Sequence, residues 1–165
     1  MRIRHALAAG AVIAGALAAV TAAPAQAAEY SSPLKLKGIQ YDAPGRDSNR
    51  CSGGNTKDEY LTIKNYSRST TVNLKGYVVK DATGNTFTFP ASHKLEPGDY
   101  VKLRGGKGTD SDRNNVVYRQ NCNFMWNNDK DTVSFYKPSG ARADVHSYTK
   151  SRDDRDSNGY ISFHG

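Results

Sequence analysis

The residues of this chain that could do chemistry are few, and their spacing argues against most reactions. Beyond residue 27 there are three histidines, His93, His146 and His164, with no H-E-x-x-H pair and no nearby Cys/His ligand set. Glu29, Glu59 and Glu96 are the glutamates, and none belongs to a recognisable acid/base motif. Gly105-Gly106-Lys107-Gly108-Thr109 looks superficially like a phosphate loop. It fails because Val101 stands where the first glycine belongs, and Gly108 where Ser or Thr must hold magnesium. No nucleophile-elbow pattern points to a triad. No catalytic residue is therefore assigned, and the chain is not expected to be an enzyme.

Two binding patterns are stronger. Lys102 and Arg104 lie two apart, so on a strand they face the same way; Lys107 follows at the exit, and ten tyrosines could offer stacking surfaces. That pattern suits a polyanion, nucleic acid included, although the other cations are interleaved with acids as on an ordinary solvated surface. In the C-terminal stretch, Asp154, Asp156, Asn158 and Gly159 fit the D-x-D-x-N-G half of a calcium loop. Gly165 stands where a bidentate Glu should close the shell, and Arg152 and Arg155 add positive charge. A solvated polar tail is the plainer reading. Any calcium site would be weak, with a Kd on the order of 0.1 to 1 mM, and no other cofactor is expected.

Positioning and compartment follow from the rest of the chain. Met1 to Ala27 carries Arg2 and Arg4, an apolar Ala-rich run and Ala25-Gln26-Ala27, the layout of a cleaved secretory signal peptide. No later segment approaches the roughly 18 apolar residues of a membrane span. Without the leader, 21 Lys and Arg stand against 16 Asp and Glu, a modest net +5. Cys51 and Cys122 are the only cysteines, and in an exported chain an even pair closes a disulfide. A metal pair or reactive thiol lacks any C-x-x-C spacing. The bridge would pin the Gly- and Asn-rich loop around Cys51 to the approach of Trp126.

From Leu34 onward short alternating runs are separated by turn signals, with no helical period. Leu34-Lys35-Leu36-Lys37, Tyr60-Leu61-Thr62-Ile63-Lys64, Thr86-Phe87-Thr88-Phe89 and Tyr100-Val101-Lys102-Leu103-Arg104 are the clearest. Phe124 to Tyr136 holds the single tryptophan, a corner of Asn127, Asn128, Asp129 and Lys130, and then the alternating strand Thr132–Tyr136. The corner is turn chemistry, with Asp129 and Asp131 as a lesser cation or partner site. About eight or nine strands without helices predict an all-β, two-sheet antiparallel sandwich over 34–148. Residues 28–33 form a short linker before it, and 149–165 a polar C-terminal tail after it.

Several runs match a known family in order. Glu59-Tyr60-Leu61-Thr62-Ile63-Lys64-Asn65, Val72-Asn73-Leu74-Lys75-Gly76-Tyr77, Asp81-Ala82-Thr83-Gly84, Thr86-Phe87-Thr88-Phe89-Pro90, Leu95-Glu96-Pro97-Gly98, Gly106-Lys107-Gly108-Thr109 and Trp126-Asn127-Asn128-Asp129 together resemble the lamin tail domain in its small secreted bacterial form. Two positions depart from the family pattern: Lys130 where Gly is usual, and Tyr77 where Trp is common. The resemblance implies an immunoglobulin-like β-sandwich that acts as an interaction module. The expected function is a secreted non-catalytic binding or structural module. Its expected partner is an extracellular or cell-envelope protein or polymer, with nucleic acid less favoured.

Overall fold

A computed structural model describes residues 32–164; the leader 1–27 and the start of the linker 28–33 lie outside the described residues. The alternation seen in the sequence becomes strands throughout. They are β1 Leu34–Gln40, β2 Tyr60–Asn65, β3 Val72–Asn73, β4 Val78–Lys80, β5 Thr86–Thr88, β6 Lys94–Leu95, β7 Tyr100–Arg104, β8 Val116–Tyr118, β9 Lys130–Tyr136, β10 Arg142–Thr149 and β11 Tyr160–Ser162. A single helical turn, α1 Lys150–Asp153, follows β10, and a 3-10 turn covers Thr56–Asp58. The count exceeds the eight or nine expected partly because β3 and β6 are two-residue strands that pair only with each other.

One sheet runs β11-β1-β2-β7-β8 and the other β10-β9-β4-β5. In the period-two runs every second side chain is buried. Leu61 and Ile63 of β2, Val101 and Leu103 of β7, Val79 of β4, and Val133 and Phe135 of β9 meet in one core between the sheets. Tyr77, where the family tends to Trp, stacks on Phe135 with ring centroids 5.2 Å apart. The pairings are antiparallel except one: β8 runs parallel to β7, because the long 105–115 connection returns the chain to the end from which β7 began.

The other departure lies at the C-terminus. Tyr160–Ser162, inside the stretch read as a polar tail, forms β11 and pairs with β1 through Gly38 to Gln40. Ile161 is the reason: flanked by polar residues, it buries its side chain in the core while Tyr160 and Ser162 face out.

The Trp126 corner is built as turn chemistry with buried carboxylates as its pegs. Trp126 and Met125 are buried. Asp131 accepts hydrogen bonds from the N–H groups of Ala82 (3.0 Å), Thr132 (2.7 Å) and Asn127 (3.1 Å), so its oxygens serve the backbone, whereas Asp129 stays exposed. Glu59 is fully buried beneath the corner and accepts from Met125 N–H at 3.0 Å through Oε2, while Oε1 has no hydrogen-bond partner. Burial pushes its carboxyl up to about 8, with the Met125 hydrogen bond and nearby Arg119 opposing that rise. The disulfide between Cys51 and Cys122 is formed, with Cα atoms 5.1 Å apart. Asn128 reinforces the tie by donating to Asp42 and Asp47 of the same loop.

Candidate binding face

The strands of the five-stranded sheet contain no Asp or Glu. Their inward positions are taken by core residues, so their cations and most of their aromatic rings must face out. Register arranges those outward residues in rows. Tyr160, Gln40, Tyr60, Arg104 and Tyr118 form one row across all five strands. Lys35, Lys64 and Tyr100 form another, and between the two Lys102 lies beside Thr62.

Cations and rings on this face are in contact. The Lys102 ammonium sits 4.4 Å from the Tyr60 ring centroid and the Arg104 guanidinium 5.6 Å from it. Lys37 lies 5.8 Å from the Tyr100 centroid and Lys64 5.1 Å from that of Tyr66. Tyr66 and Tyr100, 43% and 44% exposed, are the most exposed large apolar side chains described. Exposed cation–π contacts of this kind contribute about 0.5–1 kcal/mol each and hold the charge beside the ring without neutralising it. Glycine makes room for two of the rings: a Cβ at Gly38 would strike the Tyr160 hydroxyl, and one at Gly108 the Tyr118 ring. Burial first, then Asp144 for Tyr66 and the neighbouring Tyr60 and Tyr66 for Tyr160, pushes both hydroxyls up, so both stay protonated donors.

The structure thus brings Lys102 and Arg104 together on one face, as their spacing predicts. Arg104 is partly engaged, donating to Lys57 O at 2.9 Å with Asp58 4.0 Å away. Lys107 lies in the exposed loop that leaves β7. The rows of tyrosine beside these cations went unread in the sequence, because they depend on which strands become neighbours.

The calcium pattern meets a different fate. Asp154 is buried, and its oxygens accept from the Tyr41 hydroxyl (2.7 Å), Gly159 N–H (2.9 Å) and Asn158 N–H (3.2 Å). Burial raises its carboxyl, but these hydrogen bonds outweigh burial and hold it below the usual range. The Asn158 side chain likewise accepts from Tyr160 N–H at 2.8 Å, and Asp156 is exposed. The spacing therefore shapes the turn that delivers β11 to the sheet.

The histidines also separate. His93 is buried with its Nδ1 2.7 Å from Asp112. His146 and His164, eighteen residues apart and without a ligand spacing in the sequence, come together with Asp144 where the edges of the two sheets meet. The available signal was the placement of Asp144 and His146 two apart within a strand. Paired with Phe135 and Val133 they occupy inward positions, where a half-buried strand normally carries apolar residues.

The family model described as Lamin Tail Domain matches residues 27–150. No curated protein matches the chain.

Proposed function

The chain belongs to the lamin tail domain family, and from that premise we propose that it is a secreted, non-catalytic binding module that holds an anionic extracellular or cell-envelope polymer against the outer face of its five-stranded sheet. The observation that carries this reading is the set of five strands with Lys37, Lys64, Lys102 and Arg104 on the outer face and no acid, interleaved with tyrosine rings, while Lys35 donates to Ala143 O at the sheet edge. Cations distributed over three strands that lie about 4.8 Å apart suit a chain of repeated anionic groups. The rings beside them cover the apolar faces of its sugars or bases and give sequence-tolerant stacking. The modest net charge fits, because attraction is local to one face. Export places the face among surface polymers, and the disulfide is at home there.

Titration of a heparin oligosaccharide into the protein tests this. Affinity should fall on the order of tenfold to a hundredfold between about 50 and 200 mM salt, as expected when a few cations are neutralised. Lys102→Glu with Arg104→Glu should remove most of that binding while the melting temperature holds. Salt-independent affinity, or full affinity in the charge-reversed protein, would overturn the reading.

A further inference from the structure

Asp144, His146 and His164 form a cluster that the anion-binding face does not use. Asp144 and His146 sit two apart on β10, both turned inward after a bulge in the β9–β10 pairing between Arg142 and Asp144. His164 arrives from the other sheet, two residues past the end of β11, with its backbone N–H directed at Lys37 O. The two imidazole Nε2 atoms lie 3.1 Å apart, and Asp144 Oδ2 is 3.6 Å from one and 3.5 Å from the other.

A shared proton between the two rings accounts for the first distance. It does not account for a carboxylate oxygen that faces both nitrogens nearly equally and beyond good hydrogen-bond length. A tetrahedral cation accounts for both carboxylate distances and needs the two rings only slightly farther apart than they stand. With bonds of about 2.0–2.2 Å, its ligand atoms stand roughly 3.3–3.6 Å from one another. Conversely, a triangle with the observed edges has a centre about 2.0 Å from each corner. We propose that Asp144 Oδ2, His146 Nε2 and His164 Nε2 bind a divalent transition-metal ion, zinc, clamping the edge of one sheet to the edge of the other.

The surroundings hold the ligands in place as metal ligands are usually held. Leu36 N–H donates to Asp144 Oδ2 at 2.9 Å, fixing the carboxylate from β1. Phe163 lies parallel to the His146 ring, 4.5 Å away with 5° between the planes. Tyr66 meets the His164 ring edge-on at 6.1 Å. The side chain of Asp144 is 7% exposed, that of His146 24% and that of His164 40%, so the cluster is anchored on one side and open on the other. Solvent can therefore supply a fourth ligand. Two imidazoles and one carboxylate favour zinc or copper over calcium or magnesium, which seek oxygen. Asp144 and His146 lie within the family match and His164 beyond its end at residue 150.

Zinc titration into untagged protein decides the matter, followed by calorimetry and by the visible spectrum of the cobalt form. One zinc per chain should bind, with a tetrahedral cobalt spectrum. At about 100 times its Kd, zinc should raise the melting temperature by several degrees. His164→Ala changes only a partly exposed side chain and should fold; it and His146→Ala should each weaken binding about tenfold or more, whereas His93→Ala should not. No saturable binding up to about 1 mM zinc, or equal affinity in the His164→Ala protein, would overturn the proposal.

Discussion

The two sheets share one core but offer solvent very different surfaces. Outward positions of the four-stranded sheet mix short hydroxyls, Thr86 and Thr88 on β5, Thr132 and Ser134 on β9, Ser147 and Thr149 on β10, with Val78, Lys80, Lys130, Tyr136 and Arg142, and Lys80 lies 5.3 Å from the Tyr136 ring centroid. Its strand carboxylates, Asp131 and Asp144, turn inward, where each accepts backbone N–H groups. The five-stranded sheet gathers more cation–ring contacts, with Lys37, Lys64, Lys102 and Arg104 each set against a tyrosine ring. Both faces satisfy the demands of a sandwich equally well, since β-branched hydroxyls suit a pleated surface at least as well as lysine does. The difference is therefore one of number, and the larger set of cation–ring contacts points to recognition on the five-stranded side.

That contrast separates changes that damage both sheets from changes that silence one face. The largest effect should come from the shared interior: Trp126→Ala empties a buried site and should cost about 3–5 kcal/mol, measured by denaturant unfolding. A protein that kept its stability and lost only binding would move Trp126 from core to surface. Reducing Cys51–Cys122 should rank next. Its 71-residue separation corresponds to about 4 kcal/mol in the loop-entropy picture, read as a melting temperature lower by several degrees. Equal melting of the oxidised and reduced forms would contradict this.

A smaller effect concerns pH. The Glu59 carboxyl titrates near 4.5 in a free chain and is pushed up to about 8 by burial in the fold. The folded state therefore binds its proton more tightly, so this contribution to stability is complete below about 4.5 and lost as pH rises to about 8. The melting temperature should fall between those values, and Glu59→Gln should flatten the fall. Asp81 and Asp144 are held below 3.8, their hydrogen bonds outweighing burial, and act at more acid pH. A slope unchanged in the Gln variant would assign the effect elsewhere. Smaller still, Tyr60→Ala should weaken heparin binding by about 1–3 kcal/mol without lowering the melting temperature, and Thr132→Ala on the opposite face should do neither.

Local features were legible before the structure. Period-two alternation located the main strands, the turn formers at 127–130 located the corner, and the lone cysteine pair gave the bridge. What escaped depends on which strands become neighbours. Nothing around Tyr160 announces that it will stand in one row with Tyr60, because β11 reaches β1 only after the whole chain is in place. His164 lies closer to Asp144 in sequence but beyond a strand end of the other sheet, and the two meet only because the sheet edges close on each other. The D-x-D-x-N-G pattern carries two readings for the opposite reason: oxygens at alternate positions suit a tight turn as well as a cation, and here Tyr41 and the turn's own N–H groups bond those of Asp154.

Amide chemical-shift mapping with a heparin oligosaccharide tests the central claim most directly, because it reports location as well as affinity. Shifts concentrated at Tyr60, Thr62, Lys64, Tyr100, Lys102 and Arg104, with β4, β5 and β9 silent, are the predicted result. Shifts concentrated on the hydroxyl face or at the Trp126 corner, or spread evenly over both sheets, would contradict it.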